Sequence, residues 1–179
     1  MIYYYSKELS VHFRIGLSKW KRWVREFLAP DPLGGLQSGF ARQFNLRDAF
    51  RVYLGGCLVA DLKYTIPEAR QILADLNGWL KKSGFFQLHA SLEPGSIVQD
   101  PFYRIYIVTL SSNRFAYTIR AVKVTAPDEF PSTEDQSESF RLVSAAGTPD
   151  PIASGKVETA RVLGVSAIYR RFLESLKAE

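Results

Sequence analysis

Ser18-Lys19-Trp20-Lys21-Arg22-Trp23-Val24-Arg25-Glu26-Phe27-Leu28 is the stretch whose reading decides the first half of this chain. Trp20, Trp23, Val24, Phe27 and Leu28 recur at i, i+3, i+4, i+7 and i+8, which lays one continuous apolar stripe along a helix. Lys19, Lys21, Arg22, Arg25 and Glu26 are left for the other faces. The spacing predicts a helix opening at Leu17 or Ser18 and stopped by Pro30 and Pro32, since proline cannot continue one. The two tryptophans share the apolar stripe, so they read as core rather than as platforms for stacking bases.

Working outward, Ser6 is a candidate cap for a preceding helix with Glu8 and Leu9 in its first turn. Residues Leu33 to Phe44 hold three glycines and no helical period, which reads as a loop or short hairpin. Asn45 then caps a helix from Leu46 to Leu62. Thr65-Ile66-Pro67-Glu68 opens another, with Ile66, Ala69, Ile72, Leu73, Leu76 and Leu80 on its apolar face and Gly84 beyond its end.

After residue 84 the period changes from 3.6 to 2. Tyr103 to Leu110 and Arg114 to Thr125, separated by Ser111-Ser112-Asn113, predict a β-hairpin. Phe85 to Leu92 and Phe140 to Ser144 are further candidate strands, and the acidic stretch Pro127 to Ser139 reads as a mobile loop. Ser166 caps a closing helix, Ala167 to Leu176, with Ile168, Phe172, Leu173 and Leu176 inward. Ala160 to Ser166 could mimic the turn of a helix-turn-helix, but Gly155 leaves little room for a helix before it, so strand then helix is the reading. The expected class is therefore α+β: a helical domain over residues 1–84, able to fold alone, and a small antiparallel sheet with a C-terminal helix over residues 85–179.

Charge separates the same two halves. Residues 1–84 carry 13 Lys and Arg against 7 Asp and Glu, whereas residues 85–179 carry 10 against 11, so the overall +5 belongs to the first half. A basic domain beside a neutral one points to an anionic partner for the first. Cys57 is the sole cysteine, which excludes an internal disulfide and a thiolate cluster; its apolar surroundings make it a buried structural thiol. His12 and His89 lie in different halves without partner motifs, and there is no Gly-rich phosphate loop, nucleophile elbow or His/Cys pairing. No enzyme, cofactor or metal is expected. No apolar run reaches the ~20 residues of a membrane span, and the N-terminus has no leader pattern, so a cytoplasmic location is expected.

The order helix, tight turn, helix, glycine-rich loop, helix, helix resembles the N-terminal domain of MerR-type transcription regulators. Glu8-Leu9-Ser10, Ile15 and Trp20-Lys21-Arg22-Trp23-Val24-Arg25-Glu26-Phe27-Leu28-Ala29-Pro30 follow that family's opening, E-L-A-x-x-x-G-V-S-x-x-T-L-R-R-W-E-R-E-G-L-L-P, without an insertion. Gly39-Phe40-Ala41-Arg42-Gln43-Phe44 is similar to its wing, and Thr65-Ile66-Pro67-Glu68-Ala69 to the opening of the helix that follows. Four residues depart from the pattern: Arg14 stands for the tight-turn glycine, Gly16 for serine, Val24 for glutamate and Phe27 for glycine. With arginine at position 14, the family's turn geometry is kept only if Gly16 supplies the left-handed residue two positions later.

The resemblance covers about 80 residues and implies a winged helix-turn-helix that binds double-stranded DNA as a sequence-specific regulator. Chemistry alone points the same way. Ser18, Lys19 and Arg22 occupy the open face of the second helix, Lys21 and Arg25 flank it, and Arg42 and Gln43 sit on the wing. The competing readings are a merely solvated basic face, a mobile-element or architectural DNA-binding accessory, and a winged helix turned protein-interaction adaptor. The long dimerising helix of the family is missing after Gly84. A homodimer is still expected, because one winged helix reads few bases. The hairpin Tyr103–Thr125, apolar on both faces, is the candidate contact, and residues 85–179 could also take a small-molecule or protein effector.

Overall fold

The computed structural model of the chain describes residues 3–31, 41–86, 102–111, 114–122, 138–142 and 157–177. They form five helices and two antiparallel sheets, an α+β arrangement. The chain divides into two units, Met1–Leu92 with Tyr169–Glu179, and Glu93–Ile168. The expected boundary at residue 84 thus gives way to a first unit that also takes in the end of the chain.

In the first unit, β1 (Tyr4–Tyr5) runs directly into α1 (Ser6–His12). Tyr5 rather than Ser6 holds the cap position, and the Glu8 carboxylate accepts a bond from its N–H at 2.8 Å. Next come α2 (Leu17–Phe27), β2 (Gln43–Phe44) and α3 (Leu46–Ala60). β1 and β2 pair antiparallel, Tyr4 opposite Phe44 and Tyr5 opposite Gln43. That pairing was not foreseen, since two residues are too few to show a period. Asn45 caps α3 as expected, its side-chain oxygen accepting from Asp48 N–H at 2.8 Å. The helix stops two residues before Leu62, because the N–H groups of Asp61 and Leu62 both turn back to the Cys57 carbonyl and Lys63 takes a left-handed φ of 58°.

α4 (Ile66–Lys82) opens on a reciprocal cap between Thr65 and Glu68 and ends where Gly84 adopts a φ of 85°. Its buried face is Ala69, Ile72, Leu73, Leu76 and Leu80 as read, together with Trp79. Phe85 and Phe86 lie in the turn after it and not in a strand: Phe85 N–H donates to Leu80 O at 3.0 Å, closing the helix end. The rest of that expected strand, residues 87–92, lies outside the described residues.

The second unit is built on β3 (Phe102–Ser111) and β4 (Arg114–Val122), the expected hairpin, flanked by β5 (Glu138–Leu142) and β6 (Arg161–Leu163). The order is β5-β4-β3-β6, all antiparallel. Strand does precede helix at residues 161–165. Register sets Ile105 opposite Ile119 and Ile107 opposite Tyr117 on one face, and Val108 opposite Ala116 on the other. All six are buried, so both faces carry apolar residues away from water, while Leu110 and Val162 stay exposed. The expected acidic loop falls outside the described residues, apart from Glu138 and Ser139, which open β5.

The last helix, α5 (Val165–Lys177), starts two residues earlier than expected. Ser166 is therefore inside it and not its cap; its hydroxyl oxygen instead accepts from Tyr103 N–H at 2.9 Å. From Tyr169 onward α5 belongs to the first unit, where Phe172 is fully buried and stacks on Phe13 with ring centres 5.2 Å apart. Phe172, Leu173 and Leu176 are buried as read, Ile168 only partly so, and Tyr169 is a further buried residue. No helix among the described residues is long and apolar enough to cross a membrane.

Candidate nucleic-acid interface

The turn between α1 and α2 sets where α2 begins. Phe13 N–H bonds Leu9 O at 3.0 Å, Arg14 N–H bonds Val11 O at 3.0 Å and Ile15 N–H bonds Ser10 O at 2.9 Å, which satisfies the last carbonyls of α1. The left-handed residue is Arg14, with a φ of 52°, and not Gly16, whose φ is −55°. Glycine is the residue with no steric objection to that conformation, and an arginine there costs about 1–2 kcal/mol. Gly16 instead stands at the cap of α2, its carbonyl accepting from Trp20 N–H at 3.0 Å.

One face of α2 is fixed by burial of Trp20, Trp23, Val24 and Phe27. That face meets α3 at two glycines. A Cβ on Gly55 would come within 2.6 Å of the Phe27 ring, and one on Gly56 within 2.2 Å of the Trp23 ring, so the two helices touch ring against backbone. The far end of α2 is held too: Arg51 Nε donates to Phe27 O at 3.1 Å, and Arg70 Nε to Glu26 O at 2.7 Å. Guanidinium groups on these terminal carbonyls complement the negative end of the helix dipole.

With one face anchored, the opposite face is determined. Ser18, Lys21, Arg22 and Arg25 are all exposed, spaced i, i+3, i+4 and i+7, and so form a single stripe pointing away from the core. Among the described residues none of these four side chains has a hydrogen-bond or ion-pair partner. Three positive charges on one side of an 11-residue helix repel one another, which a bound anion would relieve.

The remaining three expected residues are placed differently. Lys19 leaves the stripe, its Nζ lying 5.0 Å from the centre of the Trp23 ring. Arg42 folds back, Nη1 donating to Ala29 O at 2.9 Å with the guanidinium 5.7 Å from the Phe44 ring centre. Gln43 is exposed on β2 and donates from Nε2 to the Tyr5 hydroxyl at 2.9 Å. The structure thus gathers Ser18, Lys21, Arg22 and Arg25 on one surface, while Lys19, Arg42 and Gln43 are engaged locally.

Burial pushes the Cys57 thiol up to about 12, with the Asp61 carboxylate adding to that and Arg171 opposing it. The buried structural reading of this residue holds. At pH 8 such a thiol is almost wholly protonated, whereas a free cysteine of pKa ~8.5 is roughly one quarter thiolate. Cys57 should therefore react with a disulfide reagent at least tenfold slower in native than in denatured protein. Equal rates would show the thiol to be open and ionised.

No group of His, Cys, Asp and Glu among the described residues is arranged to hold a metal ion. Comparison with family models and with curated proteins finds no match for the chain.

Proposed function

We propose that the first unit binds double-stranded DNA and does so with sequence preference, as a transcription regulator acting in the cytoplasm. The observation that carries this reading is the exposed stripe Ser18, Lys21, Arg22 and Arg25 on a helix whose opposite face and C-terminal end are both locked. A major groove admits one α-helix, and a recognition helix reads base edges with a few side chains while neighbouring cations grip phosphate. Ser18 and Arg22 are suited to base edges, Lys21 and Arg25 to the flanking phosphates. Arg42 spends one N–H on Ala29 O and keeps the other donors of its fork for a phosphate beside the helix.

The reading is tested on full-length protein by selection from random duplexes, followed by titration against salt. Arg22→Ala should change base preference at one position by about 1–3 kcal/mol. Arg25→Ala and Arg42→Ala should weaken all duplexes alike and each lower the slope of log affinity against log salt by roughly one. Wild-type binding in all three variants would leave the stripe as solvated surface only.

A further inference from the structure

Beside the turn that opens α2, the first unit holds a cavity of about 910 Å³ that duplex binding does not require. Its volume falls at the upper end of the range for small-molecule sites, ~300–1,000 Å³. Phe13, Trp23 and Tyr53 give it an aromatic wall. Arg14, Lys19 and Arg171 bring three positive charges to it and Asp61 one negative, a balance of two positive from these four side chains.

Two features distinguish it from an accidental dent. The first is Arg14. It occupies the left-handed position where glycine is free of strain, and its side chain has no partner among the described residues, yet it lines the cavity. The left-handed conformation closes the end of α1, a task glycine performs without strain, so the choice of arginine is what the local structure leaves unexplained, and such a strained side chain can mark a functional position. Lys63, the other left-handed side chain, does have a local reason, since its Nζ donates to Ala60 O.

The second is Arg171. Its Nη2 lies 3.5 Å from Cys57 Sγ and 3.8 Å from Asp61 Oδ2, with the guanidinium 5.7 Å from the Tyr53 ring centre. Burial works against its charge, yet its pKa lies above the ordinary arginine value, so the guanidinium is charged at neutral pH. The Asp61 contact is long and exposed on both sides, with 56% and 61% of the side chains open to solvent, so a better placed anion can displace it.

A fixed guanidinium and an unpaired one against an aromatic wall match a ligand with a flat ring and a carboxylate. Rings stack on such a wall, and guanidinium forks bind carboxylates through two parallel bonds. We infer that this cavity binds a small aromatic carboxylate, its ring against Trp23 and Tyr53 and its carboxylate between Arg14 and Arg171. The site is separate from the outer stripe of α2, sharing only Lys19 with the residues expected to meet DNA, so it is tested without DNA.

The probe is 2-naphthoate, titrated into full-length protein and followed by nuclear magnetic resonance, with 2-naphthamide as the neutral ring and acetate as the anion without a ring. Saturable one-to-one binding is expected for 2-naphthoate, shifting the Trp23 indole resonance, with the other two at least tenfold weaker. Arg14→Gly should weaken 2-naphthoate at least fivefold and leave 2-naphthamide unchanged. This variant relieves the left-handed arginine, so it should melt no lower than wild type. Ala60→Trp, placing a large ring on the lining, should abolish binding. If 2-naphthoate binds no tighter than 2-naphthamide, or if Arg14→Gly binds it as well as wild type, the inference is overturned.

Discussion

Phe172→Ala is expected to destabilise the protein by about 3–5 kcal/mol, the usual cost of removing a fully buried phenylalanine. Its ring is 0% exposed and lies 5.2 Å from Phe13, 5.1 Å from Phe50 and 5.6 Å from Tyr53, centre to centre. These three partners come from the α1–α2 turn and from α3, and no single neighbour can move to fill the gap they surround. Against a typical domain stability of ~5–15 kcal/mol, that loss removes a large share of the total. Urea denaturation should show a lower midpoint, and thermal melting a fall of roughly 6–20 °C for a chain of this size. Leu110→Ser, at a side chain 57% exposed, should shift stability by no more than about 0.5 kcal/mol. The same packing predicts that residues 1–92 alone are poorly folded, because Tyr169 and Phe172 are then missing from the cluster around Phe50. A well-dispersed resonance spectrum from that fragment, or a Phe172→Ala variant as stable as wild type, would show that α5 is dispensable to the first unit.

Why the expectation assigned α5 to the other domain is instructive. Ile168, Phe172, Leu173 and Leu176 announce a buried face by their spacing, but a period of 3.6 names no partner. Its proximity in sequence to the sheet strands made them the natural assignment. α2, α3, α4 and the hairpin were legible because each carries both a long period and local punctuation: Asn45, Thr65 and the two prolines for the helices, and a short polar link for the strands. Where punctuation was read alone it misled. Ser166 has the side chain of a cap but bonds Tyr103 instead, and Phe85-Phe86 has strand composition but closes the end of α4. At the candidate interface, the outer stripe of α2 followed from its wheel once the inner face was known. The resemblance sets Arg14 at the tight-turn glycine, but the arginine itself gives no sign of a left-handed dihedral, which leaves its mark in sequence mainly as a glycine.

Gly56→Ala should lower stability by about 1–3 kcal/mol, although it replaces glycine with the best helix former. On propensity alone the change should stabilise by ~1 kcal/mol, since α3 runs straight through this position. The added methyl, however, would lie 2.2 Å from the Trp23 ring, which is only 5% exposed, and at that distance something must shift. Either the ring leaves its rotamer or α2 moves off α3, and both disturb the helix that carries Ser18, Lys21, Arg22 and Arg25. Gly78→Ala supplies the opposite sign in the same protein. It too lies within a helix, α4, but it is exposed and a Cβ there meets nothing within 4 Å, so it should stabilise by about 0.5–1 kcal/mol. The pair also separates helix position from overall stability in the DNA reading. Under conditions where both variants are fully folded, Gly56→Ala should lose duplex affinity because its recognition helix is displaced, while Gly78→Ala should bind as wild type. If Gly56→Ala instead gains stability and binds duplex normally, α2 is not seated on α3 as described, and the stripe on its outer face is not where this structure puts it.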